Sequence, residues 1–116
     1  MRSLAIGLML AALVAAACSG SPESTKYKQT WTKAYAETVC TDWADAMDAH
    51  QQFVMAADML LSAQRRDNAD APIPSDALIG QFQGYIDGVC LRADAGTTEI
   101  STVAFLAYSA SDQFKP

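Results

Sequence analysis

Residues 75–90 read Ser-Asp-Ala-Leu-Ile-Gly-Gln-Phe-Gln-Gly-Tyr-Ile-Asp-Gly-Val-Cys. Leu78, Ile79, Phe82, Tyr85, Ile86, Val89 and Cys90 recur at the spacing of one helix face, and Ser75 stands before the run with a hydroxyl able to accept from the first unpaired amides. The stretch predicts a helix whose inner stripe ends in a cysteine. Gly84 and Gly88 within it either weaken the helix or permit close packing.

Moving toward the N-terminus, residues 67–74 carry Pro72 and Pro74 and read as a loop. Before it lies a second helical pattern with Phe53, Val54, Ala57, Leu60 and Leu61 as its stripe. Asp48-Ala49-His50-Gln51 has the form of a capping box at its start, and Arg65-Arg66 closes it where the helix dipole favours positive charge. Earlier still, Val39, Cys40, Trp43, Ala44 and Met47 predict a short first helix around residues 31–47, with Trp31 and Tyr35 covering one side of its entering turn. In the other direction a loop through Gly96 leads to Thr97 or Thr98 as a cap. Ile100, Val103, Ala104, Ala107 and Tyr108 form the last stripe, and Phe114 is placed to close the core. No strand-like alternation and no internal repeat competes with these patterns. The expected fold is all-α, a small bundle of about four short helices over residues 31–116.

The N-terminus has a different character. Met1-Arg2 is a short positive start, Leu4 to Val14 is apolar, and Ala15-Ala16-Ala17 supplies small residues before Cys18, which together predict a signal peptide over residues 1–17. Ala15-Ala16-Ala17-Cys18-Ser19-Gly20-Ser21 resembles the lipobox of bacterial lipoproteins, although Ala15 stands where Leu is commoner. The resemblance implies that Cys18 is diacylated with fatty acids such as palmitate and becomes the mature N-terminus, a firm membrane anchor. Residues 18–30 are small and polar and read as a flexible linker. Near their end, Lys26, Tyr27, Lys28, Trp31 and Lys33 alternate cations with rings, a mixture that also suits an anionic headgroup layer.

Three cysteines in an oxidising compartment leave one over. Lipid on Cys18 removes it, so that Cys40 and Cys90 form an even pair and are expected to be bridged. Closing a loop of that length stabilises a small domain by about 4 kcal/mol in the chain-entropy model. The formal charge is −5, with eight basic residues against thirteen acidic ones, and loss of Arg2 with the leader makes the mature chain −6. Nucleic acid is not an expected partner, since phosphate binding needs clustered cations and Arg65-Arg66 is the one adjacent pair.

The run Thr38-Val39-Cys40-Thr41-Asp42-Trp43, with Val89-Cys90 fifty residues after its cysteine, resembles the HdeA-like family of small periplasmic acid-stress chaperones. The resemblance implies a disulfide-bridged helical domain and a dimer near neutrality that loosens in acid and exposes apolar surface to clients. Ala56-Ala57-Asp58-Met59-Leu60, then Pro74-Ser75-Asp76-Ala77-Leu78-Ile79 before Phe82 and Cys90, is also similar to small lipoproteins of actinobacteria and their phages. Some prophage lipoproteins exclude a second phage, so superinfection exclusion is a role this second resemblance implies.

Catalytic chemistry finds little support. His50 is the one histidine, and it falls in the first turn of a predicted helix, so no catalytic residue and no cofactor are expected. No paired Cys or His spacing suggests zinc, and Asp67-Asn68-Ala69-Asp70 lacks the length and glycine of a calcium loop. Asp42, Asp45 and Asp48 are three apart and, with Trp43 between them, form the candidate binding face, either for a basic partner or as a plain solvated acidic row. The expectation is a membrane-anchored extracytoplasmic lipoprotein acting as a non-catalytic protein-binding module for an envelope protein. The alternatives are an acid-stress chaperone and a passive structural component.

Overall fold

Two of the three predicted caps form, and they set the frame. In the computed structural model, which describes residues 25–92 and 94–116, helix α1 spans Ala49–Asp67. The Asp48 carboxylate accepts from the Gln51 amide at 2.8 Å, while the Gln51 side chain accepts from the Asp48 amide at 2.9 Å. Two donors that a helix start leaves orphaned are thus satisfied reciprocally. Helix α2 spans Asp76–Cys90, with the Ser75 hydroxyl accepting from the Leu78 amide at 3.1 Å. Helix α3 spans Ile100–Ala110. The leader and Cys18 lie outside the described residues.

The entry to α3 differs from the expected threonine cap. Glu99 is the capping position, and no side chain serves the helix start. Backbone pairing does so instead: the Ile100 amide donates to the Thr38 carbonyl at 2.8 Å, the Cys40 amide to the Thr98 carbonyl at 2.9 Å, and Val39 and Glu99 form an isolated antiparallel bridge. The same pairing explains why residues 31–47 are not one α-helix. Thr38 and Val39 are drawn out to meet residues 98–100, which splits the segment into a 3-10 turn at Tyr35–Glu37 and a π-helical turn at Asp42–Ala46. Gly96 lies against this junction. A methyl group there would stand 2.9 Å from the Thr41 hydroxyl oxygen, while the Gly96 carbonyl accepts from the Thr41 amide and hydroxyl.

The fold is all-α: among the described residues, the three helices α1–α3 and the π-helical turn pack around one core and are stapled by the Cys40–Cys90 disulfide, whose Cα atoms are 5.0 Å apart. Trp43, Leu60, Ile79, Phe82, Ile86, Ile100, Val103 and Phe114 are buried. Phe114, in a last 3-10 turn at Asp112–Phe114, meets the edge of Phe82 at 5.1 Å between ring centroids. Its carbonyl accepts from the buried Gln64 side chain at 2.8 Å, so the C-terminal turn closes the core and satisfies a polar group inside it. The inner stripe of α2 is narrower than expected, because Tyr85 is turned outward and 38% exposed. At Gly84 and Gly88 a methyl group would meet nothing within 4 Å. These glycines therefore serve no close packing among the described residues.

The ordered domain also begins earlier than residue 31. Tyr27 and Trp31 pack against the core, with the Tyr27 ring 6.1 Å from Phe53. The Gln29 side chain accepts from the amides of Thr30 and Trp31 and donates to the Gln51 carbonyl. Lys26 pairs with Asp76 at 2.8 Å and Lys33 with Asp42 at 2.9 Å. Residues 25–30, read as linker, are thus part of the domain. The rings expected to suit a headgroup layer are turned inward instead, since burying an aromatic surface outweighs the polarity of its neighbours.

Candidate functional site

The acidic row does not assemble into one face. Asp42 accepts from Lys33 and, at 3.1 Å, from the Val39 amide. The Lys33 ammonium and that amide hold its carboxyl below the ordinary carboxylate range. Asp48 is used as the α1 cap, and Asp45 projects into solvent from the π-helical turn. Trp43 is 1% exposed, with its indole N–H donating to Asp87 at 2.7 Å. The expected surface of Asp42, Asp45, Asp48 and Trp43 is corrected accordingly: the ring is core, one carboxylate caps α1, and another is held by Lys33 and the Val39 amide. The cause is the break at residues 38–40, which abolishes the helical register that would have aligned them. His50 is exposed in the first turn of α1, its ring nitrogen 2.8 Å from the Lys28 carbonyl. Among the described residues no three His, Cys, Asp or Glu side chains could share a metal ion, and no helix is long and apolar enough to cross a membrane.

A different region has the geometry of a docking site. Between α1 and α3 lies a cleft of about 170 Å³, bounded at one end by the 3-10 turn. Met59, Ser62, Ala63 and Arg66 line it from α1 because residues three, four and seven apart share a helix face. Ser101, Ala104 and Phe105 line it from α3. The floor is made of small side chains, with Ala63 and Ala104 each contributing only a methyl group. Phe105 forms the wall and is 61% exposed, and Leu106 beside it is 49% exposed.

The ends of the cleft carry opposite charges. At one end, Asp58 accepts from the Tyr35 hydroxyl at 2.5 Å, and Gln29 donates to the same hydroxyl at 3.0 Å. Burial first, then the hydrogen bond to Asp58, push the Tyr35 phenol up to about 12. At the other end is Arg66, whose guanidinium makes no hydrogen bond or ion pair among the described residues. Arg65 beside it donates to the Ala71 carbonyl, and Asp67 accepts from Tyr108 at 2.6 Å. Arg66 is therefore the cation left available at this surface.

A second hollow, about 210 Å³, lies beside the disulfide and is lined by Trp43, Ala44, Gln52, Asp87, Cys90 and Leu91. Its polar groups are already spent on one another: the Trp43 indole bonds Asp87, and Gln52 donates to the Trp43 carbonyl at 2.6 Å. Although larger, it offers a partner less than the α1–α3 cleft does.

Neither Phe105 nor Arg66 was picked out by periodicity as a site. A signal exists in the sequence, since Phe105 and Leu106 fall outside the inner stripe of Ile100, Val103, Ala104 and Ala107. Large apolar residues stranded on the outer side of a small domain mark an interaction surface when they sit together. No protein-family model, curated protein or solved structure matches this chain.

Proposed function

We propose that the protein is a lipid-anchored extracytoplasmic lipoprotein whose helical domain is a non-catalytic protein-binding module, docking a protein of the cell envelope through the α1–α3 cleft. The observation that carries this reading is Phe105, 61% exposed beside a floor of small residues and within the same cleft as the unpaired Arg66. An exposed ring, a shallow apolar floor and one free guanidinium make the pattern of an interaction hot spot, where aromatic and Arg side chains dominate binding energy. The Cys40–Cys90 disulfide is compatible with an oxidising compartment outside the cytoplasm.

The anchor limits where the partner sits. Seven residue steps lead from the proposed lipid-bearing Cys18 to Thr25, so the chain allows a reach of roughly 25 Å even when fully extended. The cleft then works at the membrane surface, and an envelope protein, including one used by an infecting phage, is the class of target within range.

Cross-linking on intact cells followed by recovery of the tagged protein tests the reading. Phe105→Ser and Arg66→Ala are each expected to lower recovery of the captured protein at least tenfold. Equal recovery by wild type and both variants would overturn it. Challenging cells that express the gene with phage separates exclusion from a general envelope role.

One observation favours a second reading, the acid-triggered chaperone. Asp42 gives the sign: the Lys33 ammonium and the Val39 amide hold its carboxyl below the ordinary range, so it contributes stability above the ordinary value that is lost as pH falls through the folded one. Light scattering of an aggregating client at about pH 2 to 3, unchanged by the domain, would exclude this role.

A further inference from the structure

We infer that the outer side of α2 rests on the phospholipid surface that holds the anchor, so that the α1–α3 cleft opens away from the bilayer. The inference rests on the lipid anchor proposed above and adds an orientation to it. Residues three and four apart share one side of a helix, and on α2 the side turned from the core runs through Ala77, Gln81, Gly84 and Gly88 to Leu91 just past its end. All five are exposed and none carries a charge. The two acids of the helix are engaged elsewhere, Asp76 with Lys26 at 2.8 Å and Asp87 with the Trp43 indole at 2.7 Å. In a chain with thirteen acidic residues, an exposed side without a carboxylate along a whole helix sets α2 apart. The next acid, Asp94, lies in the loop beyond.

Three observations select a lipid surface as what covers this side. The chain enters the domain at this helix: Lys26 pairs with Asp76 in the first turn of α2, so the short tether from Cys18 ends beside it. A reach of roughly 25 Å keeps the domain against the bilayer, and at such an effective concentration even a weak contact is populated. Charge then chooses the side. A mature chain of net charge −6 is repelled by anionic headgroups, least where carboxylates are absent, and this side ends at Arg92, which is exposed and whose guanidinium makes no hydrogen bond or ion pair among the described residues. Leu91 beside it is 77% exposed, more than any other large apolar residue described, and Tyr85 flanks the same helix. An apolar side chain next to an available guanidinium fits the headgroup boundary, the one entering the acyl layer and the other meeting phosphate.

The orientation accords with the docking reading. Each of the three helices packs against the other two, so the outer side of α2 lies opposite the groove between α1 and α3. A domain resting on α2 therefore keeps its cleft near the membrane yet presents Phe105 and Arg66 outward, where a second envelope protein can reach them.

Protein purified from membranes and placed in nanodiscs of equal parts phosphatidylcholine and phosphatidylglycerol, with a gadolinium-chelating lipid among them, tests the inference through the magnetic relaxation of each backbone amide. The amides of Gly84, Gly88 and Leu91 are expected to be relaxed by the metal at least fivefold more strongly than those of Ser62 and Phe105. Leu91→Ser combined with Arg92→Glu, both at exposed positions, is expected to remove that difference. Equal relaxation on the two sides, stronger relaxation at the cleft, or a difference that survives the paired substitution overturns the inference. So does a shift of the α2 signals that grows with the number of protein copies per disc and comes without relaxation by the metal, which assigns this side to a second copy. A purified chain that carries no lipid overturns the anchor and the orientation together. A lipidated chain relaxed equally on both sides overturns the orientation alone, and loss of partner recovery by Phe105→Ser then still supports the docking reading.

Discussion

Replacing Cys40 and Cys90 together by alanine removes a covalent link between the start of the π-helical turn and the last residue of α2. The residues are 50 apart in sequence, and the chain-entropy relation for a loop of that length gives about 4 kcal/mol. The bridge has few substitutes at this junction. Beside it, residues 38–41 are held to 96–100 by the amides of Cys40 and Ile100 and by the Thr41 bonds to Gly96. A domain of this size has a total stability of roughly 5–15 kcal/mol, so the loss is a large fraction of the whole. At about 4–8 °C per kcal/mol, the melting temperature falls by roughly 15–30 °C. Thermal unfolding followed by circular dichroism at the helical band, with urea unfolding for the free energy, measures both. Hydrogen exchange at the amides of Cys40 and Ile100 should accelerate in parallel. A destabilisation below about 1 kcal/mol would refute the reasoning, because it would mean that the unfolded chain gains almost nothing from losing the loop constraint.

Phe114→Ala should cost about 3–5 kcal/mol in the same unfolding assay, as it empties a buried ring site against Phe82 and displaces the carbonyl that satisfies Gln64; a cost near zero would show that the C-terminal turn is not part of the core. Tyr35 and Tyr108 are both held up to about 12, so phenolate absorbance should show two of the four tyrosines ionising only near that pH. Because their folded pKa values lie above the ordinary value of about 10, their contribution to stability is complete below pH 10 and is lost as pH rises toward 12; stability unchanged across that window contradicts it. Gly84→Ala and Gly88→Ala should each stabilise the protein by about 0.5–1 kcal/mol, since the added methyl groups meet open space on a helix interior, and a fall in stability would show that α2 packs differently.

Features written in local chemistry were legible in the sequence. Asp48 with Gln51 and Ser75 before Leu78 announce their helices because a cap needs only its own neighbours. The Cys40–Cys90 pair followed from counting thiols against compartment. What could not be read depended on contacts distant along the chain. The pairing of residues 38–40 with 98–100 leaves no alternation in either segment, yet it breaks the first predicted helix and replaces a threonine cap by a backbone one. Tyr27 looks like part of a polar tether until Phe53 is brought beneath it. The cleft was hidden for a similar reason: Asp58 and Arg66 sit on the outer side of α1, and their meaning appears only once Ser101 and Phe105 of α3 lie alongside.

Intact mass of the protein extracted from membranes under non-reducing conditions tests most directly the proposed division of labour among the three cysteine sulfurs. The prediction is a chain of 99 residues beginning at Cys18, heavier by its acyl groups and lighter by the two hydrogen atoms lost in joining Cys40 to Cys90. An unacylated chain, or one in which both of the later cysteines react as free thiols, would contradict it.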